Sequence, residues 1–235
     1  MRDPLTITWI ALFAAVLIWS GINPKDTFTW VLEIAPALIA AVVLAATIRR
    51  FAFTLLTYTL ILIHNVILMV GGHYTYAEVP FFEDSIGNSF GDPIGNSFGD
   101  PIGNSFSDPI GDLFGFFFDM ERNNYDKLGH LAQGFIPAMV AREILVRANI
   151  VNGKWWLVLF VFSFCLGFSA FYELIEWWVA LLSGEDAEAF LGTKGYEWDT
   201  QPDMGFALLG ASSSLLFLSH WQDRQITKLK NGAPP

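Results

Sequence analysis

One cysteine and four histidines in 235 residues, with charged side chains at only 15% of positions, leave little material for several familiar designs. A single thiol, Cys165, excludes an intrachain disulfide and any Cys/His zinc cluster. The chain contains no H-E-x-x-H, no G-x-S-x-G and no glycine-rich phosphate loop. That absence speaks against a zincin-type protease, an α/β-hydrolase and a P-loop nucleotide-binding protein. Basic residues are scarce too, 13 against 23 acids.

What the chain has instead is apolar bulk, 53% of all residues, with nine Trp and 22 Phe. Six stretches approach the ~20 residues that a helix needs to cross a bilayer. They are Leu5–Gly21, Phe28–Ile48, Phe51–Gly72, Lys127–Val146, Trp155–Leu182 and Met204–Trp221. The expectation is an all-α polytopic helix bundle, residues 1–235 forming a single integral membrane domain. The first stretch lacks a small-x-small cleavage pattern before Asn23-Pro24 and reads as an uncleaved span.

Charge then orients the bundle. Arg2, Arg49, Arg50, Arg142, Arg147, Lys154, Arg224, Lys228 and Lys230 fall at one side, nine of the 13 basic residues. By the positive-inside rule that side is cytoplasmic, with both termini inside. The other side holds only Lys25, Arg122, Lys127 and Lys194. Trp19, Trp30, Trp177 and Trp178 fall near the outer boundary and Trp155, Trp156 and Trp221 near the inner one, as an aromatic belt requires.

Between the third and fourth spans, residues 81–120 form a low-complexity outer loop. Its octapeptide Ile86–Pro93 recurs as Ile94–Pro101 and Ile102–Pro109, with a diverged copy from Ile110. Gly, Pro, Asn and Asp every few residues favour turns. The period of eight differs from that of the calcium-binding nonapeptide rolls.

Against this apolar background the ionisable residues stand out. A charge at mid-membrane depth costs ~2.5–3.5 kcal/mol even on lenient scales, so such residues face a partner, a cavity or a metal. Glu173 and Glu176 lie one helical turn apart in the fifth span, one to two turns below its outer end. Asp126, His130 and Gln133 share a face at the outer end of the fourth. Asp199 and Asp203 flank Pro202 where the sixth begins, at a helix start that favours acids. Glu33 and His64 are expected at similar depth, with His73 and Glu78 at a solvated rim. In the inner half Glu143 stands alone, read as an interfacial ion pair with Arg142, so no hydrophilic path crosses the membrane.

Carboxylates and imidazoles at helical spacing on facing helices are how bundles build metal sites. The candidate ligands are Asp126, His130, Glu173, Glu176, Asp199 and Asp203, with His130 or Glu173 as candidate general base. An oxygen-rich set with one histidine suits a divalent cation such as Mg²⁺, Mn²⁺, Zn²⁺ or iron. Three readings stay open: a metal-dependent enzyme acting on lipid or lipid-linked substrates at the outer leaflet, a proton-coupled transporter, and a non-catalytic envelope protein. The partners expected are membrane lipids and a lipid-linked substrate, with no nucleic acid.

Four motifs in order carry a family resemblance: Gly72–Pro80 (GHYTYAEVP), Arg122–Phe135 (RNNYDKLGHLAQGF), Tyr172–Trp177 (YELIEW) and Leu191–Met204 (LGTKGYEWDTQPDM). The chain resembles the YjdF family of bacterial inner-membrane proteins over essentially its whole length except the octapeptide array. The order Asp-Lys-x-x-His, Glu, Asp-x-x-x-Asp is also similar to that of VanZ-like membrane proteins, which are associated with glycopeptide resistance. The resemblance implies a multi-pass protein of the bacterial inner membrane, with Asp126, His130, Glu173, Glu176, Asp199 and Asp203 as motif positions.

Overall fold

A computed structural model describes residues 4–76, 79–80, 125–183 and 200–231. The octapeptide loop, Glu78 and Asp199 lie outside them. Six helices run in sequence: α1 Pro4–Ser20, α2 Thr27–Thr47, α3 Leu55–Tyr74, α4 Tyr125–Arg147, α5 Lys154–Ser183 and α6 Thr200–Lys230, with no strand among the described residues.

Four of these helices, α2, α3, α5 and α6, are long and apolar enough to cross a membrane. The two exceptions have physical reasons. Helix α1 has only 17 residues, apolar throughout. Helix α4 is long but carries Asp126, Lys127, Arg142, Glu143 and Arg147. It can do so because it is the axis of the bundle: α3, α5 and α6 all pack on it, and α6 most closely. Side chains that never meet lipid need not be apolar.

Closeness between α4 and α6 comes from two glycines. A Cβ on Gly134 would strike the Ala207 backbone, and one on Gly210 would strike Leu131 and Phe135. Backbones this near gain van der Waals contact that lipid tails cannot supply. The sequence singles out Ala207 and Ala211 as small packing residues, and both are fully buried; Gly134 and Gly210 make the closer approach.

Helix α5 shows its partner-facing side as a stripe. Val161, Cys165 and Ser169 are fully buried at successive turns, while Phe160, Phe164, Phe171 and Trp178 on other faces are exposed. Continued outward by whole turns, the buried stripe reaches Tyr172, Glu173 and Glu176. Of the outer-belt tryptophans, Trp19, Trp177 and Trp178 are exposed. Trp30 instead turns inward, its Nε1 donating to Ser20 Oγ at 3.2 Å.

Helix starts are capped as their sequences suggest. Asp26 accepts from Thr29 N at 2.6 Å, and that bond holds its carboxyl below the usual carboxylate range. At the rim, His73 is a packing residue: its Nδ1 lies 3.0 Å from Ser20 O, and its ring sits 4.6 Å from Trp19.

The basic ends of α2, α4 and α6 gather at one end of the bundle. There Glu143 is fully buried and saturated with donors. It accepts from Thr54 N and Oγ1 at 2.8 Å each, from Thr57 Oγ1 at 2.5 Å and from Arg147 Nη1 at 2.8 Å. Arg142 pairs elsewhere, with Gln222 Oε1 and Asp223 Oδ1, both at 2.8 Å. Two expectations are therefore corrected. Glu143 is bonded to Arg147, not Arg142, and it is not alone: Gln222, Arg142, Thr54 and Thr57 make the inner end a polar knot.

Candidate functional site

At the opposite end, which the charge pattern places outside, α4 presents His130 one turn after Asp126. The imidazole is 3% exposed. Its Nε2 lies 3.5 Å from Asp126 Oδ1, 3.7 Å from Glu173 Oε1 and 3.9 Å from Asp203 Oδ2. Three helices thus bring one carboxylate each to a single ring nitrogen. Glu176 joins on the α5 side: one ligand atom each from His130, Glu173 and Glu176 lie within 4.8 Å of one another, as do those from Asp126, His130 and Asp203.

The supports are local. Asp203 follows Pro202 in the first turn of α6, where an acid faces the exposed N–H groups. Thr200 Oγ1 donates to Glu173 Oε2 at 2.9 Å, tying the start of α6 to α5. The glycine contacts between α4 and α6 fix how near Asp203 can come to His130. Glu176 lies seven residues before the end of α5 and Glu173 ten, so they sit two to three turns down, deeper than the sequence reading placed them.

Five of the six candidate ligands therefore meet: Asp126, His130, Glu173, Glu176 and Asp203. Asp199 lies outside the described residues. Two ligands about 2.1 Å from one ion stand roughly 3.0–3.4 Å apart at angles of 90–109°. The observed separations are a few tenths of an ångström wider, within reach of small rotamer shifts. The donor set, oxygens with one nitrogen, fits a hard or borderline divalent cation.

Beside the cluster is a cavity of about 40 Å³ enclosed by α2, α3, α4 and α5. Its wall includes His130, Asp126 and Glu176, together with Glu33, His64, Tyr76, Gln133 and Tyr172. Glu33 is 3% exposed and accepts from Tyr172 Oη at 3.0 Å. Tyr76 and Tyr172 were not among the residues singled out individually. The signal for Tyr172 was present in its position one turn before Glu176; for Tyr76 it was only its place in the Gly72–Pro80 motif, since it lies past the end of α3.

Between Gln133 and Met139, whose carbonyl accepts from Gln222 of the inner knot, the axis helix is apolar. His130 and Glu143 are 13 residues apart on α4, about 20 Å along the axis. Leu60, Ile61, Ile136 and Met139 fill the space as one buried cluster, and Ala138, Val161, Cys165 and Ala211 as another.

Comparison with known proteins agrees with this architecture. Residues 5–224 match a family described as "Predicted membrane protein (DUF2238)". The inner membrane protein YjdF of Escherichia coli (strain K12) is 43% identical over 229 residues, covering 96% of this chain and 94% of that protein. No solved structure is a significant match. The chain thus belongs to the DUF2238 family of membrane proteins, as a multi-pass protein of the inner membrane.

Proposed function

We propose that the outer cluster is a divalent-cation centre of an enzyme acting on a lipid or lipid-linked substrate at the outer leaflet. The observation that carries this reading is the convergence of three carboxylates from α4, α5 and α6 on His130 Nε2, at 3.5 to 3.9 Å. Like charges this close and this buried repel strongly unless a cation or shared protons neutralise them. Asp126, His130, Asp203 and the Glu173/Glu176 pair would hold the ion. A bound cation there polarises a phosphoryl or carbonyl oxygen and lowers the pKa of coordinated water. Whichever of Glu173 and Glu176 stays off the ion is placed to take a proton, the second carboxylate serving as general base.

Lipid-linked substrates suit the setting because the cluster lies within the bundle's outer third, beside exposed Trp177 and Trp178 at the level of the lipid headgroups. A transported solute would need a continuous polar route. The apolar layer around Ile136, about 9 Å of the axis between Gln133 and Met139, opposes that reading.

Metal analysis of the purified protein tests the proposal. Near-stoichiometric divalent metal is expected in the wild type and its loss in Asp126→Asn/Glu173→Gln. A metal-free wild type, after purification without chelator and with cations resupplied, overturns it.

A further inference from the structure

The cavity behind His130 is built as carefully as the cluster in front of it, and two of its lining atoms lack partners. His130 Nδ1 and Gln133 Nε2 are buried without a hydrogen bond among the described residues, in residues 3% and 5% exposed. They stand three residues apart on α4, on one face. Leaving such groups unmade costs about 1–3 kcal/mol each, so buried polar atoms usually have a protein or water partner. Three carboxylates, Glu33, Asp126 and Glu176, also line the cavity.

The chain also accepts strain to close this space. Thr75 has φ 63° and ψ 141°, a region that a β-branched residue rarely enters. That turn sends Tyr76 back into the cavity wall. Its ring fills a notch left by two glycines: a Cβ on Gly71 would strike the ring, and one on Gly129 would come within 2.9 Å of it. A side chain larger than hydrogen at either position would displace the ring that seals the cavity.

We propose that this cavity is a subsite for one O–H ligand, a water or a substrate hydroxyl. The ligand oxygen accepts from Gln133 Nε2 and from His130 Nδ1, and its hydrogen is donated to one of the carboxylates that line the cavity. Size, donor pattern and charge all select this chemistry. About 40 Å³ admits a few water-sized groups at most, since one needs roughly 10–15 Å³ on this measure. An anion is refused by three carboxylates, and an apolar group leaves both nitrogens unmet.

The subsite extends the cation-centre reading and rests on it for its use. A histidine that binds metal through Nε2 carries its proton on Nδ1 and nearly always donates it to an oxygen. Here no protein atom among the described residues supplies that oxygen. The O–H ligand does, and it thereby stands one imidazole away from the ion.

Hydroxyl-radical footprinting of the full-length protein in nanodiscs, read by mass spectrometry, tests the subsite because radicals form on water already held inside a protein. Tyr172, which lines the cavity, is expected to oxidise well above Phe206, a buried aromatic outside its lining. Gln133→Leu should lower that labelling about 2- to 10-fold, the effect of one hydrogen bond on occupancy. Repeating the exposure with a short-chain monoacylglycerol separates the two sources: suppression assigns the subsite to a substrate hydroxyl, and unchanged labelling assigns it to water. Labelling of Tyr172 no faster than that of Phe206, or unchanged in Gln133→Leu, overturns the proposal. Metal content measured on the same samples separates the two failures, since footprinting can succeed in a metal-free protein and fail in a loaded one.

Discussion

The bundle holds two acidic sites at opposite ends of α4, and they are finished in opposite ways. At the inner end Glu143 meets four donors at 2.5 to 2.8 Å from α4 and the start of α3, and Arg142 and Gln222 beside it are bonded in turn. At the outer end His130 meets three carboxylates at 3.5 to 3.9 Å, while its own Nδ1 and the Gln133 amide nitrogen are left over. A structural polar site is expected to be closed, because unmet groups cost free energy. A site that must receive something is left open at that point. On this contrast we propose Glu143 as a clasp and the His130 cluster as a receiving site.

The largest expected effect breaks the clasp. Glu143→Ala leaves Arg147, Thr54 and Thr57 facing a buried void, and removing one partner of a buried pair costs about 3–5 kcal/mol. The same operation outside, Asp126→Asn/Glu173→Gln, removes repulsion as well as attraction. Without added cation, its stability should lie within about 1 kcal/mol of wild type, or above it. Thermal unfolding in one detergent compares the two directly; equal destabilisation would erase the distinction drawn between the ends.

A mid-sized effect separates geometry from chemistry. Gly134→Ala forces α4 away from α6, with an overpacking cost of about 1–3 kcal/mol. Because Asp203 rides on α6, cation affinity should fall although no ligand is changed. Affinity unaffected by this wedge would mean that Asp203 is not a ligand.

Smaller still is Tyr172→Phe, which takes from Glu33 its 3.0 Å hydrogen bond and should cost about 1 kcal/mol. The smallest concerns a control far from both ends of α4. Asp26→Ala loses a helix cap worth about 1 kcal/mol. Since the folded carboxyl of Asp26 titrates below its unfolded value, its contribution is complete above the unfolded pKa and disappears as pH falls through the folded one. The stability difference between wild type and Asp26→Ala should therefore close only below about pH 4.

Much of this was legible in the residues, and the failures are informative. The spans were readable because lipid imposes apolar length, and the outer cluster because a carboxylate in such a span needs company. The clasp was misread since sequence distance favoured Arg142 beside Glu143, whereas helical geometry puts Arg147, one turn on, across from it. Thr54, Thr57 and Gln222 are ordinary polar residues until folding brings three segments together. Tyr76 was visible only within the Gly72–Pro80 motif, for another reason: its place depends on one strained turn at Thr75, which no periodicity encodes. Gln133 was seen on the right face, but only the packed bundle reveals that its nitrogen has no partner.

The most direct test is the thermal stability of wild type, Glu143→Gln and Asp126→Asn/Glu173→Gln, each measured with a chelator and with saturating Mn²⁺ or Zn²⁺. A cation bound only by the folded state at 100 times its Kd adds about 2.7 kcal/mol. The wild type and the less stable Glu143→Gln should both gain that increment, and the outer double variant should gain none. A wild type indifferent to either cation, or an increment lost in Glu143→Gln and kept in the outer variant, would contradict the assignment of the two ends.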